Sequence, residues 1–274
     1  MTLKLSSELN VAIDAARKAG IYLRECFGSV SPKDITYKGD INIVTPFDME
    51  AQRLILRTLK SRFPDHRYFT EEEQDKPTTS SSTQRWIIDP LDGTSNYASG
   101  SPHFCVSLAL EISGKVVLGV VYAPMLDELF QAIEGGGSYL NGRPIHVSLS
   151  PRLQDAIIAT GFPYDNTVTL QECLRLLSRI APAIRTTRCL GAAALDICYV
   201  ACGRLDAYWD VELEPWDMSA GALIVSEAGG QISNVRGQRF DHCGHNLLAS
   251  NGALHTAILD TLWLENTGDL SQKA

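Results

Sequence analysis

The sequence predicts a layered sandwich of helices and sheets, of the α/β or α+β class. Short apolar runs of strand length occur in adjacent pairs, and segments with the spacing of amphipathic helices lie between them. Each such element has an apolar face to hide, so strands and helices mixed in this way pack in layers. The 274 residues, 45% of them hydrophobic, suffice for one large domain or two small ones.

The first half of the chain, residues 1–150, begins with an amphipathic helix. Ser6 or Ser7 can cap it, and small or apolar residues then recur at alternating steps of four and three as far as Phe27. Pro46 suits the first turn of a second helix, where a backbone N–H has no helical partner. The other elements expected in this half are a strand or hairpin at 35–45, that second helix at 46–63, and strands at 86–88, 104–112, 116–122 and 129–133.

Pro151 marks the boundary to the second half, residues 151–274. We expect strands at 156–160 and 206–209, and helices at 170–180, around 195–201 and at 218–228. The chain has no internal repeat and no low-complexity linker, so the two halves are expected to form one compact unit.

The charge balance limits the classes of partner. Acidic residues number 32 and basic ones 24, which gives a formal net charge of -8 at pH 7. Nucleic acids and anionic membranes attract basic surfaces, so neither is expected as a partner. The N-terminus lacks the apolar core of a signal peptide, and no segment approaches the roughly 20 apolar residues of a membrane span. The seven cysteines contain no C-x-x-C pair, which favours reduced thiols and a cytoplasmic protein.

Acidic side chains occur at four places where one expected element passes into the next. Asp89 and Asp92 flank Pro90-Leu91 at the end of a buried strand, and Gly93-Thr94 can begin a helix there. Carboxylates this close repel and take up protons unless a cation balances them, and hard oxygen ligands suit Mg²⁺. Backbone amides at a helix start can hold a phosphate oxygen. The other acidic places are Asp48, Glu71-Glu72-Glu73 and Asp217.

Each acidic fragment also has a simpler interpretation. Alone, D-x-x-D-G is typical of a turn with a helix cap, Glu71 to Glu73 of a solvated turn, and Asp217 of a helix N-cap. Their joint occurrence, with their flanking sequences in this order, favours a site for metal-assisted phosphoryl hydrolysis. The segment His242-Cys243-Gly244-His245 lacks the four ligands of a zinc site and is typical of a surface loop.

Two longer stretches surround these acidic residues. Residues 86–97 are WIIDPLDGTSNY, and residues 216–230 are WDMSAGALIVSEAGG. Together with the pair Glu71-Glu72 and the segment Asp40…Val44-Thr45-Pro46-Phe47-Asp48, they resemble the signatures of the inositol monophosphatase family. The resemblance covers nearly the whole chain. It implies an α+β fold, the αβαβα sandwich of the sugar-phosphatase type.

The resemblance implies two or three Mg²⁺ ions per active site. Glu71, Asp89 and the Leu91 carbonyl would hold the first ion. Asp89, Asp92 and Asp217 would hold the second, and a third would reach Glu71 through water. Most metal ligands would thus lie in the first half of the chain, and the second half would supply Asp217 and the substrate loop.

The resemblance also implies how water and substrate are held. Thr94, hydrogen-bonded to Asp48, would orient and deprotonate the attacking water, and Glu71 is the third implied catalytic residue. No covalent phosphoenzyme is expected. The implied substrate-binding residues are Leu91, Asp92, Gly93, Thr94, Gly191, Ala192, Ala193, Asp210 and Asp217.

Three positions depart from the family pattern. Gln52 stands where the family commonly has Glu, and Asp210 is one methylene shorter than the Glu that usually binds a substrate hydroxyl. Glu212 adds a charge where small or neutral residues are frequent. These changes leave the metal chemistry intact, but a carboxylate beside the polyol would favour a substrate that carries an amine.

The expected function is Mg²⁺-dependent, lithium-sensitive hydrolysis of inositol monophosphate to inositol and phosphate. The alternatives are phosphatases for histidinol phosphate, fructose 1,6-bisphosphate or a nucleotide 3′-phosphate. The last of these is disfavoured, because Ser95-Asn96-Tyr97 follows D-G-T here. A different class of alternative is a non-catalytic regulator that binds RNA polymerase or another protein. The resemblance further implies a homodimer.

Overall fold

Two β-sheets with helices on their faces make up the computed structural model, which describes residues 5–72, 82–164 and 167–263. The helices are α1 (Ser6–Cys26), α2 (Pro46–Lys60), α3 (Thr94–Ser99), α4 (Thr167–Ile180), α5 (Ala193–Ala201), α6 (Pro215–Glu227) and α7 (His255–Trp263). The strands are β1 (Thr36–Tyr37), β2 (Ile43–Val44), β3 (Arg67–Thr70), β4 (Gln84–Asp92), β5 (Cys105–Ile112), β6 (Lys115–Ala123), β7 (Glu128–Ile133), β8 (Ser138–Leu140), β9 (Arg143–Pro144), β10 (Ile157–Thr160), β11 (Thr186–Arg188), β12 (Ala207–Asp210), β13 (Gln231–Ser233) and β14 (Leu247–Ser250).

The larger sheet has seven strands in the order β3-β4-β5-β6-β7-β8-β9. In it β3 and β4 pair in parallel, whereas the other neighbouring strands pair antiparallel. The strands β5 and β6 are nearly continuous apolar runs, as a sheet covered on both faces requires. The parallel pairing places Thr70 beside Ile88, so the residue after β3, Glu71, lies level with Asp89.

The smaller sheet has five strands in the order β11-β10-β12-β14-β13. Its strand β10 pairs in parallel with both β11 and β12, and β14 pairs antiparallel with β12 and β13. The ends of β10 and β12 therefore lie side by side, with Thr160 opposite Trp209. The next residues in the two segments, Gly161 and Asp210, lie at the same edge of the sheet and line one cavity.

Helices cover both outer faces and fill the space between the sheets. Helices α1 and α2 pack on the larger sheet, where Leu23 and Ile55 join a core with Trp86. Helices α4 and α7 pack together outside the smaller sheet, where Leu176 and Ile258 share a core. Helices α5 and α6 form the middle layer. This order of layers confirms the αβαβα sandwich expected from the sequence.

The middle layer touches the larger sheet at a glycine. A Cβ atom at Gly119 of β6 would lie 2.8 Å from the backbone oxygen of Ala220 in α6. Strand and helix backbones can therefore approach each other here only because the side chain is absent. The same helix comes close to α5 at Gly221, where a Cβ atom would lie 2.7 Å from Ile197.

The two sheets come from consecutive parts of the chain. Strands of the larger sheet lie between Arg67 and Pro144, and those of the smaller sheet between Ile157 and Ser250. Because α6 contacts strands of both sheets, the middle layer joins the two parts in a shared core. The division into halves at residue 150 stays a prediction.

Two details of the expected elements are wrong. Helix α1 follows Leu5 without a side-chain hydrogen bond at its cap, so neither Ser6 nor Ser7 caps it. Strand β4 continues to the second aspartate instead of ending at residue 88. Its pairing with β5 shifts register between Asp89 and Asp92 and then resumes.

The hairpin and the second helix agree with the sequence more closely. Strands β1 and β2 pair antiparallel within the expected range. Thr45 caps α2, because its hydroxyl oxygen accepts a hydrogen bond from the N–H of Phe47, and Pro46 occupies the first turn. The helix ends at Lys60, earlier than expected. Among the described helices, α1 included, none is long and apolar enough to cross a membrane.

Candidate active site

The last residues of strand β4 include the central acidic pair, Asp89 and Asp92. In a regular strand, residues three positions apart face opposite sides. The register shift between Asp89 and Asp92 changes this, and their carboxylates lie in one cluster. Asp89 is almost wholly buried, and its Oδ1 accepts a hydrogen bond of 2.9 Å from the N–H of Leu91. Asp89 therefore lies within the last part of a buried strand, and Asp92 is the last residue of that strand.

Gly93 turns the chain from β4 into α3. Its φ of +95° is in the left-handed region, and a Cβ atom would lie 3.1 Å from the His103 carbonyl oxygen and 3.2 Å from Ala192. A side chain at this position would thus be strained and crowded at once. The turn places Thr94 directly after the acidic pair, as the first residue of α3.

Asp217 joins the cluster from the middle layer. Ligand oxygens of Asp89, Asp92 and Asp217 all lie within 4.8 Å of one another. Asp217 stands in the first turn of α6, and its Oδ2 accepts a hydrogen bond of 2.7 Å from the N–H of Glu214. Glu214 is the N-cap of this helix, so the interpretation of Asp217 as the N-cap is wrong.

The start of α5 holds the Asp92 carboxylate in place. Its Oδ1 accepts from the N–H of Ala193 at 3.1 Å, and its Oδ2 accepts from the N–H of Ala194 at 2.8 Å. These are the unpaired donors of a helix N-terminus, where negative charge is favoured. The Ala193 amide is therefore committed to a carboxylate of the cluster. Gly191 and Ala192 directly precede α5 and line the cavity next to the cluster.

Burial and mutual repulsion disfavour the charged forms of these acids. Burial, with the charges of Glu71 and the neighbouring aspartates added, raises the pKa of Asp89 well above its usual range. Burial and the charge of Asp92 do the same to the pKa of Asp217. Burial raises the pKa of Asp92 itself to about 7. A cation bound among these oxygens would reverse this cost.

Lys38 supplies one positive charge at the edge of the cluster. Its Nζ donates to Glu71 Oε1 at 2.9 Å and to Glu72 Oε1 at 2.8 Å. Burial and the charge of Glu71 nevertheless raise the pKa of Glu72 to about 7. The backbone N–H of Glu72 donates to the Gln52 side chain at 3.3 Å. Gln52, the departure noted in the sequence, thus holds the strand end that presents Glu71.

The oxygen donors suit a hard divalent cation. Carboxylates of Asp89, Asp92 and Asp217 converge, and Glu71 adds a fourth beside Asp89. Oxygen-only sets of this kind bind Mg²⁺ or Ca²⁺ in preference to soft metals. The raised pKa values of Asp89 and Asp217 indicate negative charge that the described side chains leave unbalanced.

Thr94 and Asp48 form a hydrogen-bonded pair beside this cluster. Thr94 Oγ1 lies 2.8 Å from Asp48 Oδ1 and 3.1 Å from the Leu91 carbonyl oxygen, so its single proton has two acceptors. Asp48 Oδ2 accepts two further bonds from Thr45, through the backbone N–H and the hydroxyl. Asp48 is fully buried, and burial raises its pKa. The contact between Thr94 and Asp48 expected from the sequence is present.

A cavity of about 540 Å³ extends from the cluster along the edge of the smaller sheet. Asp210 lies in its wall, where Tyr208 donates to Oδ2 at 2.9 Å and the N–H of Glu212 donates to Oδ1 at 3.1 Å. Burial raises the pKa of Asp210 to about 6. Gly161 leaves room for it, since a Cβ atom there would lie 2.3 Å from Oδ2. Glu212 is exposed at the same wall.

A sequence model described as the inositol monophosphatase family matches residues 4–267. The chain belongs to the inositol monophosphatase family. It is therefore a phosphoric monoester hydrolase of the inositol-phosphate phosphatase type, and the family is generally metal-dependent. A phosphorylated substrate is consistent with this membership.

Two named relatives and one solved structure show how far the likeness to other family members extends. Inositol monophosphatase 2 of Solanum lycopersicum is 41% identical over 267 residues, which cover 93% of this chain and 97% of the relative. Nus factor SuhB of Vibrio cholerae is 40% identical over 256 residues, covering 92% and 94%. The crystal structure of extragenic suppressor protein suhB from Bartonella henselae has a TM-score of 0.89 at 37% identity, covering 96% of this chain and all of that one.

Several contacts in this site were not predicted from the sequence. The Asn96 side chain donates to the carbonyl oxygens of His103 and Leu190, both at 2.7 Å, and thereby ties the loop before α5 to α3. Lys38 lies within the segment 35–45 and had no signal of its own in the sequence. Asn96 lies in the family signature, which was its one visible signal. The cavity is also lined by Asn42, Tyr164, Cys189 and Glu214.

Proposed function

We propose that this protein hydrolyses inositol monophosphate to inositol and phosphate in a Mg²⁺-dependent reaction, by direct attack of water. The observation that carries the proposal is the convergence of Asp89, Asp92 and Asp217 within 4.8 Å, next to the Thr94–Asp48 pair. A buried acidic cluster and a polarised hydroxyl are the parts of metal-assisted phosphoryl hydrolysis. The named relative from Solanum lycopersicum supports the choice of inositol monophosphate.

We assign the metal ligands as the family resemblance implies. Glu71, Asp89 and the Leu91 carbonyl would hold one Mg²⁺ ion, and Asp89, Asp92 and Asp217 a second. Bound there, the ions would lower the pKa of the attacking water and stabilise the leaving alkoxide. A third ion would reach Glu71 through water. Lithium would then inhibit by competing at the second position.

Thr94 and Asp48 would move the proton of the attacking water. Thr94 Oγ1 can give its proton to Asp48 Oδ1 while one of its lone pairs accepts a proton from water. Burial raises the pKa of Asp48, which makes it a stronger base than an exposed aspartate. Glu71, presented by the end of β3 level with Asp89, would hold the water from the other side.

Substrate contacts would come from both halves of the chain. The turn at Gly93 and Thr94 would face the phosphate, together with Leu91, Asp92 and Asp217. Gly191, Ala192 and Ala193 would border the polyol. Asp210 would face a substrate hydroxyl from the wall, where Tyr208 and the N–H of Glu212 hold its carboxylate.

The charge of the cavity wall favours some of the candidate substrates over others. Of the described residues that line the cavity, none is Lys, Arg or His, whereas Asp196, Asp210, Glu212 and Glu214 are acidic. A second phosphate on the leaving group would have no cation to meet in that wall. This favours a monoester of a neutral polyol over fructose 1,6-bisphosphate.

A substrate that carries an amine, such as histidinol phosphate, is the second candidate. The exposed carboxylate of Glu212 in the cavity wall favours it. Glu212→Gln should lower kcat/KM for an amine-bearing phosphate relative to inositol monophosphate by up to about fivefold, the range of an exposed ion pair. Steady-state kinetics on both substrates measure the ratio.

Glu25→Gln, which removes an exposed charge from α1, is the matched control for Glu212→Gln and should leave that ratio unchanged. Equal losses on both substrates in Glu212→Gln would contradict a charge effect.

Phosphate release from a panel of these substrates, with Mg²⁺ and with EDTA, tests the proposed function. Inositol monophosphate should give the highest Mg²⁺-dependent rate. A lack of Mg²⁺-dependent release from every member would overturn it. A regulatory role would then gain weight, since one relative is named Nus factor SuhB. We also propose a cytoplasmic homodimer, which sedimentation velocity can test.

A further inference from the structure

Three possible metal-binding side chains meet outside the active site. Oxygen, nitrogen and sulfur donors of Glu111, His242 and Cys243 all lie within 4.8 Å of one another. His242 Nε2 is 2.6 Å from Glu111 Oε2. The cluster lies by Arg85 at the beginning of β4, whereas the catalytic aspartates lie at its end. From sequence, the segment at residues 242–245 is typical of a surface loop, without a metal site.

One strand and one turn bring the donors together. Glu111 is on β5 and stands opposite Arg85 of β4 in the ladder of the larger sheet. His242 and Cys243 lie in the turn before β14, where Asp241 Oδ1 accepts a hydrogen bond of 2.9 Å from the N–H of Cys243. His245 is not part of the cluster, because its Nδ1 faces the Leu213 carbonyl oxygen at 3.3 Å.

The Arg85 guanidinium supplies the positive charge beside this cluster. Its Nη2 lies 2.6 Å from Glu111 Oε2 and 3.7 Å from Cys243 Sγ. Its Nε is buried and has no hydrogen-bond partner within the described ranges. Burial alone raises the pKa of Glu111, but hydrogen bonds from His242 and Arg85 hold it below its usual range. Nitrogen donors of His242 and Arg85 thus both reach the same oxygen of Glu111, so the carboxylate is already directed at the place where the donors meet.

The chemistry of the donors differs from that of the catalytic cluster. A thiol and an imidazole bind Zn²⁺ and similar borderline cations, whereas Mg²⁺ prefers oxygen alone. Three protein ligands leave a fourth tetrahedral position for water. Cys243 is exposed, and His242 borders a second cavity of about 540 Å³, so an ion has access.

We propose that Glu111, His242 and Cys243 form a second metal site, for Zn²⁺ or a similar divalent transition metal. On binding, the Cys243 thiol releases its proton to solvent and the thiolate joins the metal. Glu111 exchanges its contact with Arg85 for the ion. His242 loses the Nε2 proton that it donates to Glu111 to solvent, takes up one on Nδ1, and binds through Nε2 as a neutral imidazole. Arg85 keeps its position over the Phe69 ring, whose centre lies 5.4 Å from the guanidinium carbon.

Co²⁺ is the probe for this site, because thiolate–Co²⁺ bonds give a charge-transfer absorption that oxygen ligands do not. The chelator-treated full chain is titrated with Co²⁺ in excess Mg²⁺, which occupies the carboxylate cluster. We expect the absorption to saturate at one equivalent and to disappear when Zn²⁺ is added. Cys243→Ser should abolish it, and His242→Asn should weaken Co²⁺ binding by about 10–100-fold or more.

Matched variants separate this site from adventitious binding. Cys189→Ser removes the other exposed thiol, and His245→Asn removes the neighbouring imidazole, so both should leave the titration unchanged. Arg85→Met should tighten Co²⁺ binding, because it removes the competing cation. Absence of the absorption in the unaltered chain, or its survival in Cys243→Ser, would overturn the proposal.

Discussion

Thr94 shows how much of the proposed chemistry depends on one hydroxyl. It begins α3 directly after the Gly93 turn, and its oxygen lies between Asp48 Oδ1 and the Leu91 carbonyl. Any side chain without this hydroxyl would leave Asp48 facing the reaction with no means of passing on a proton. The Asp48 carboxylate would still be held by Thr45, so the fold around it would change little.

Thr94→Ala should therefore lower kcat by about 10²–10⁴-fold, the usual contribution of a positioned proton-transfer group. KM and the melting temperature should change little, because the side chain is small and only partly buried. Thr94→Ser keeps the hydroxyl and is the control, with most of the activity retained. If the alanine variant kept more than half of kcat, Thr94 would have no part in proton transfer.

At the level of elements, α6 links the active site to both sheets. Its first turn presents Asp217, and its last residue, Glu227, accepts hydrogen bonds from the N–H groups of Gly135 and Gly137 beyond β7. The end of α6 is thereby hydrogen-bonded to the glycine turn at residues 135–137. The position of Asp217 depends on how closely this helix lies against β6 at Gly119.

Gly119→Ala should push α6 away from β6 and displace Asp217. A methyl group 2.8 Å from the Ala220 oxygen cannot be accommodated without backbone movement, which costs about 1–3 kcal/mol of unfolding free energy. We also expect weaker Mg²⁺ binding, measured by calorimetry. Denaturant unfolding measures the stability change.

Gly114→Ala is the comparison for Gly119→Ala. It introduces a side chain at a φ of +81° in a turn with open space around it. It should cost about 1 kcal/mol of stability through backbone strain but leave Mg²⁺ affinity unchanged. Loss of Mg²⁺ affinity in both variants, or in neither, would contradict the proposed role of the contact with α6.

At the scale of the whole molecule, the cluster of acids makes the metal-free protein sensitive to pH. Burial raises the pKa of Asp92 to about 7 and that of Asp210 to about 6, whereas an unfolded aspartate has a pKa of about 3.9. Between these values the folded chain binds more protons than the unfolded chain. The free energy of unfolding therefore falls as pH rises from about 4 to about 7.

Mg²⁺ should reduce this loss of stability, because it stabilises the ionised form of Asp92 while leaving Asp210 unaffected. Melting temperatures measured across that pH range, in EDTA and in Mg²⁺, give the two slopes. Mg²⁺ at about 100 times its dissociation constant should add about 2.7 kcal/mol at neutral pH. Na⁺ at matched ionic strength is the control, and equal slopes in EDTA and Mg²⁺ would contradict a metal site at Asp92.

The sequence could predict what depends on neighbours along the chain. Residues 86–97 contain a strand, a glycine turn and a helix start, and each follows from local patterns of apolar and small residues. The end of β4 was misjudged, since its last pairing depends on a register shift against β5. The predicted cap of α1 is wrong for a different reason. A serine near the start of a helix need not donate or accept a capping hydrogen bond, and neither Ser6 nor Ser7 does so here.

Contacts between distant segments could not be predicted in this way. The amides of Ala193 and Ala194 hold Asp92 across about a hundred positions of sequence, and Lys38 reaches Glu71 across a sheet edge. Such contacts are decided by the packing of layers, which leaves no periodic signal. The aspartates could be assigned to one site from sequence only through their match to the family signatures in residues 86–97 and 216–230.

The acidic cluster draws its members from segments as far apart as Glu71 and Asp217, which come together only when the middle layer lies on the larger sheet. Contacts of such long sequence separation form slowly, since loop closure must come first. During synthesis the chain therefore has no complete metal site until α6 has been made and packed. Recovery of Mg²⁺ binding in a refolding experiment should accordingly lag behind the formation of β4 to β7, and catalytic competence would report the final docking step.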